Sequence, residues 1–290
     1  MDDTPEIIPR DIRFGIAAQP DRAWFDGDLL KSALVDGFAV MLPEGERFFI
    51  RSLRPFAGEL KDPEVLKGIQ GYALQEAFHT REHESYNDGL RALGYDVEGM
   101  EAKAKRMLSA AQGPRSRVVV TCAIEQITYS MSCSVLGRPK LLRRVNPAYR
   151  RLWTWHALEE VEHSAVAFQV LHAIPSRLPG WKRYVGRVLT FGTVVAAVCN
   201  LALRNAFSMV RASGQEVTLG VRLRFLWIIL VYPGFITRLI GACLASLRPG
   251  YRGGGGAKDA RLIESGRRIL AEEGLAPIHH AAPSPGPIPA

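Results

Sequence analysis

A chain of 290 residues with 47% apolar side chains is long enough to bury one sizeable core, and its helical periodicity favours a single bundle with an extension. The net charge of +8 raises the question of nucleic acid, but the excess arginine lies mostly after residue 138, around apolar stretches, and accompanies no groove-reading motif. Nucleic acid is therefore not expected as a partner, and a basic surface beside apolar helices fits anionic lipid headgroups better.

The opening MDDTPEIIPR contains no apolar core of the kind that marks a secretory signal or an N-terminal anchor. Residues 1–42 read as a mixed N-terminal segment. Pro43 opens a short helix through GERFFIRSLR. Asp62, Pro63 and Glu64 supply a cap, a proline at the first helical position and an acid against the positive helix end. They predict a long helix over 63–93, closed by Gly94. A charged segment, 98–106, leads to Gly113 and Pro114, after which a nearly all-apolar helix runs to Gly137. Asn146 and Pro147 open a fourth helix that is expected to reach Pro175. Residues 43–178 thus read as a four-helix bundle in an all-α fold.

The uncharged runs 188–203 and 225–237 are short for a membrane span, which needs about 18 to 20 residues. They predict an apolar helical hairpin over 179–250, either packed on the bundle or lying in a membrane interface with its arginines at headgroup level. In 251–290, the glycines 253–256 read as a flexible link, 259–273 as a short helix and AAPSPGPIPA as a disordered tail. Cys122, Cys133, Cys199 and Cys243 lack metal-type spacing and sit in apolar runs, as reduced core thiols of a cytoplasmic protein would.

The chemistry is concentrated on the four bundle helices. Glu76-Ala77-Phe78-His79 and Glu160-Val161-Glu162-His163 each set a carboxylate and an imidazole three residues apart on one helical face, where both can ligate one metal. The other two helices each supply a lone glutamate, Glu46 and Glu125. Glutamate, ExxH, glutamate, ExxH is the ligand order of four-helix proteins that hold two iron or manganese ions. It predicts a ferritin-like bundle with two metal ions, iron foremost and a manganese/iron pair as the variant. Glu46 and Glu125 would bridge or chelate, and each ExxH pair would hold one metal. Glu125 in VVVTCAIEQI would otherwise leave an ionised carboxylate buried without a partner. Glu44 is the alternative to Glu46, and Glu159 to Glu160. His83 and His156 lie one turn from the motifs, as supporting groups or acid–base residues. Glu82, Glu84, Glu159 and Glu162 are candidate acceptors for the ligands' second ring N–H. Tyr129, one turn from Glu125, is a candidate electron donor, and Tyr72 stands one turn from Glu76.

Glutamate and histidine without thiolate favour iron or manganese over structural zinc. The leading expectation is therefore an O₂-activating oxidoreductase of hydroxylase or desaturase type, acting on a hydrophobic or lipid-like substrate. Region 180–247 would be its entry or docking surface, peripheral to the inner face of a membrane, with an external electron donor and a homodimeric assembly as further expectations. The alternatives are a metal-dependent hydrolase with a hydroxide bridging the metals, and a metal-binding bundle without turnover.

LPEGERFFIRSLR (42–54), QEAFHTREHESYN (75–87), AIEQIT (123–128) and WTWHALEEVEHSAVAF (153–168) resemble the bacterial family of predicted metal-dependent hydrolases, over roughly 40–250. The resemblance implies a ferritin-like fold. It aligns Glu46, Glu76, His79, Glu125, Glu160 and His163 with the family's acidic and histidine positions, and His83 and His156 with its further histidines. Where family members tend to carry His-Pro-Trp after Arg-Pro-Gly, this chain has Arg252 followed by glycines.

Overall fold

In the computed structural model, which describes residues 5–275, the regular structure is helical throughout. Helix α1, Leu29–Ala39, begins where Asp28 accepts from the N–H groups of Leu30 and Lys31 at 2.9 and 3.2 Å. The sequence reading contains no helix here, because α1 is buried on nearly every side and lacks the one-sided pattern of a surface helix.

Asp36 of α1 lies in the core, accepting from Trp24 Nε1 at 2.8 Å and from the Tyr86 hydroxyl. Burial lifts its carboxyl from the ordinary range to about 7, against two hydrogen bonds that favour the anion. A carboxyl raised in the folded state contributes stability that is complete below its unfolded pKa and is lost as pH climbs through the folded one. Unfolding free energy should therefore fall by about 1 kcal/mol between pH 5 and 6 on this account, and should level off above the folded pKa of about 7. Asp36→Asn should flatten that decline in denaturant melts, and an unchanged slope would contradict the assignment.

Helix α2, Leu42–Leu53, buries Glu46, Phe49 and Leu53 along one stripe. Asp62 caps α3, Pro63–Ala92, through the N–H of Glu64 at 3.0 Å, and Gly94 at φ 83° closes the turn that follows. The buried stripe of α3 includes Gln75, Glu76, His79 and His83, where apolar side chains would ordinarily lie. The charged segment 98–106 is part of helix α4, Val97–Ser109, capped by Asp96 through Gly99 N–H. Val97, Met100, Ala104 and Leu108 give α4 its buried stripe.

Helix α5, Pro114–Leu136, is the central apolar helix. Helix α6, Pro147–His163, starts at the expected Asn146 cap but ends well before Pro175. The chain breaks at Ser164 and Ala165 and resumes as α7, Val166–Ala173. Helices α2 and α6 each pack against both α3 and α5, so these four surround one core.

In place of the expected hairpin there are three helices, α8, Gly180–Ala212, α9, Leu219–Leu230, and α10, Phe235–Ser246. The second half of α8 lies hard against α1. A Cβ on Gly37 would overlap the Ala202 carbonyl oxygen and stand 2.8 Å from the Ala206 nitrogen, and Asn205 Nδ2 donates to the Gly37 carbonyl at 3.1 Å. Helix α11, Ala257–Glu272, packs on α6 and α5.

Two of the four glycines read as a flexible link, Gly253 and Gly254, are instead packed. A Cβ on Gly253 (φ 93°) would stand 2.7 Å from Ala165 Cα, and one on Gly254 would overlap Ser164 Oγ. Glycine is needed here for close approach to the break after His163, not for freedom of movement. Among the described cysteines, Cys122 is buried and Cys133 and Cys199 are partly buried, all as free thiols. The tail AAPSPGPIPA and the Cys243 side chain lie outside the described residues.

Candidate metal centre

Four helices direct ionisable groups into a single interior space. Helix α2 brings Glu46, α3 brings Glu76, His79 and His83, α5 brings Glu125, and α6 brings His156, Glu159, Glu160 and His163. None of these is more than 4% exposed. In three sets the ligand-capable atoms lie within 4.8 Å of one another: Glu46 with His79 and His156, Glu76 with His79 and Glu160, and Glu76 with Glu125 and His163. All six expected ligands are brought together, and His156 joins them.

The arrangement interleaves the two motifs. His163 Nε2 lies 3.3 Å from Glu76, 3.5 Å from Glu125 and 3.6 Å from Glu160. His79 Nδ1 lies 3.7 Å from Glu160 and 3.8 Å from Glu76, and His156 Nε2 is 3.5 Å from Glu160. Glu76 and Glu160 are thus the middle carboxylates, whereas Glu46 and Glu125 stand at opposite ends. The cause is that the motif helices α3 and α6 pack on each other, so each motif faces the other's histidine.

Further residues fix the rings. Gln75 Oε1 accepts from His163 Nδ1 at 2.9 Å, which leaves Nε2 facing the carboxylates, and Gln75 Nε2 donates to Glu162 at 3.1 Å. Arg10 grips Glu162 through both terminal nitrogens, at 2.9 and 2.8 Å, and donates to Glu159 at 3.2 Å. Glu159 also accepts from Trp155 Nε1 and lies 3.2 Å from His79 Nε2. The His83 Nδ1 is 2.6 Å from Glu46 Oε1. Arg10 and Gln75 are absent from the sequence reading. Arg10 lies in an aperiodic segment before the first helix, and Gln75 has no feature apart from its place beside Glu76.

Other candidates lie elsewhere. Glu44 and Glu84 both pair with Arg47 toward the surface, and Glu82 accepts from Phe14 N–H and Arg81. The Tyr129 hydroxyl donates to Asp259 of α11 at 2.8 Å, so the packing of α11 on α5 occupies it. Tyr72 is the phenol that meets the cluster, donating to Glu125 Oε1.

The residues fit a metal centre on two grounds. Both oxygens of Glu76, the second oxygens of Glu46, Glu125 and Glu160, and the Nε2 atoms of His83 and His163 are buried without a hydrogen-bond partner, a rare state that an ion would relieve. Burial also pushes the carboxyls of Glu46, Glu76 and Glu125 upward, with the neighbouring Glu160 adding to the rise, so their charged forms call for an opposing charge. For Glu160 burial works the same way, but facing His163 and His156 outweigh it and hold its pKa low. The imidazole of His163 is raised despite burial, by Glu160 and Glu125, while burial lowers His79 and takes His156 down to about 3. Divalent ions supply the opposing charge directly.

An apolar cleft of about 50 Å³ reaches the centre at His156, between Trp24 and Phe25, Val35 and Phe38 of α1, Met131 of α5 and Trp153 of α6. His156 is its one titratable lining residue, and no residue of 180–247 lines it. The sequence model of the family described as predicted metal-dependent hydrolase matches residues 8–253. The chain belongs to this family. The match takes in every residue of the centre, from Arg10 to the glycine packed beneath the α6 break. No curated protein and no solved structure matches the chain. The metal that the family's description calls for has candidate ligands here in the buried glutamate–histidine groups.

Proposed function

We propose that the protein is a hydrolase with two divalent ions in a ferritin-like bundle, Glu76 and Glu160 shared between them. Glu125 and His163 would hold one end of the pair, and Glu46, His79 and His156 the other. The observation that carries this reading is the set of buried, partnerless donor atoms aimed at one space. Four carboxylates, those of Glu46, Glu76, Glu125 and Glu160, balance two divalent charges, while Glu159 and Glu162 face two cations of their own, Arg10 against both and Arg267 against Glu162. When bound, such ions polarise an ester or phosphoester oxygen and acidify water.

The chain's own groups position the substrate and move the proton. The cleft accepts an apolar group and directs the bond to be cut toward His156. His83, with Nδ1 held on Glu46, keeps Nε2 as the atom that takes up or returns a proton. The substrate class that fits is an ester or phosphoester with an aliphatic or aromatic tail.

One observation favours a second reading, oxidation of an apolar substrate by O₂ at two irons or a manganese/iron pair: a fully buried phenol, Tyr72, touches Glu125. Metal analysis of the purified protein, spectra before and after O₂, and a panel of apolar esters and phosphoesters separate the two. Redox-silent ions with ester or phosphoester turnover are expected. Two irons whose spectrum changes with O₂, with no hydrolysis, would replace the hydrolase reading by the oxidative one.

A further inference from the structure

Helices α8–α10 hold an apolar surface that the metal centre does not use. Trp181 and Leu189 of α8 are each 65% exposed. On α9, Val221, Phe225 and Ile228 are buried, whereas Leu219, Leu223, Leu226, Trp227 and Leu230 form a second stripe at helical spacing that faces outward. Ile240 and Leu244 of α10 are exposed in the same way. The three helices adjoin: α10 packs on α9, and Arg187 of α8 donates to the backbone oxygens of Ser246 and Arg248.

The charge around this surface is one-sided. Between residues 177 and 248 there are ten lysines and arginines and a single acid, Glu216. The Lys182 ammonium lies 5.5 Å from the Trp181 ring and the Arg187 guanidinium 5.7 Å from Tyr184. Such pairs place an apolar body beside a charged tip, as suits the boundary between hydrocarbon and headgroups.

We propose that this face docks the protein on an anionic phospholipid membrane, with α9 and the first half of α8 lying in the interface. A second copy of the chain is the poorer occupant, because two such faces would set like charge against like. A lipid surface supplies apolar depth and neutralising charge together. By length and composition α8 is also long and apolar enough to cross a bilayer. Its second half is nevertheless fixed against α1 at Gly37, and Arg187 in its first half is committed to carbonyls of the protein.

The surface meets the cleft. Lys31 Nζ lies 5.1 Å from the ring of Tyr232, in the turn between α9 and α10, and 5.7 Å from the ring of Phe25 in the cleft wall. A lipid-borne substrate would pass from membrane to cleft along apolar surface. That last step rests on the proposed hydrolase reading; the docking itself does not.

The test is co-sedimentation of the full chain with vesicles of phosphatidylcholine, with and without phosphatidylglycerol, beside the variant Leu223→Glu/Trp227→Glu. Binding to anionic vesicles should be about tenfold or more above that to neutral ones, should fall with salt, and should drop about tenfold in the variant. Helix content and metal content should stay as in the parent, since both positions face outward. Equal binding to both vesicle types, or an unaltered variant, overturns the proposal. So does a dimer in solution that the same substitutions dissolve while vesicle binding is absent, which would make the face a contact between copies. Protein extracted by detergent alone, and not by salt, would replace docking by a spanning α8.

Discussion

Glu76→Gln should leave less than one metal ion per chain where the parent, on the proposed reading, takes two, and should erase the rise in melting temperature on adding metal. Glu76 belongs to two of the three ligand sets, and neither of its oxygens has another partner. Losing it removes one of the four charges that balance the ions and one contact from each side of the centre. An ion present at a thousand times its Kd stabilises a protein by about 4 kcal/mol, which sets the size of the lost shift. In chelator the sign reverses. Burial, with Glu125 and Glu160 adding repulsion, makes Glu76 a costly anion in the metal-free protein, so the neutral amide should raise its melting temperature. Metal analysis and paired melts read both effects. Two ions retained in the variant would show that Glu76 is not shared.

Arg10→Met should cost about 3–5 kcal/mol in denaturant melts, because it strands Glu159 and part of Glu162 in the interior without their cation. Glu162 keeps Arg267 at 3.0 Å and Gln75, so the larger share of the loss falls on Glu159. Metal affinity should fall about 10–100-fold as well, since Glu159 faces His79 and Glu162 holds Gln75 against His163. Arg10→Lys should restore little of either, as an ammonium cannot grip Glu162 at two points while reaching Glu159. A loss under about 1 kcal/mol would assign the neutralising role to Arg267 instead.

The donors were legible because helical spacing carries a face with it: Glu76 and His79, or Glu160 and His163, share a side in any helix that contains them. The all-α class and the caps at Asp62 and Asn146 were legible for the same reason, since each is a local signal. What joins the donors was not local. Which histidine faces which carboxylate depends on how α3 and α6 pack, so the shared positions of Glu76 and Glu160 do not follow from spacing. Arg10 reaches the centre from an aperiodic strand of chain. The end of α6 at His163 was hidden because residues 166–173 resume a helical pattern, while the break depends on Gly253 and Gly254, far along the sequence. The glycines that suggested looseness are the tightest contact in that region.

The grip of Arg10 on Glu162 has a consequence for how the protein is made. The two residues are separated by 152 positions, and the separation from Glu159 is 149. During synthesis at about 5–20 residues per second, Arg10 leaves the ribosome roughly 10–30 s before its partners exist. For that interval the first helices can form, but the centre cannot close, because α6 carries His156, Glu160 and His163 together. On the proposed reading metal capture is therefore a late event, set by the arrival of one helix and sealed by an arginine that has been waiting in water since the start of the chain.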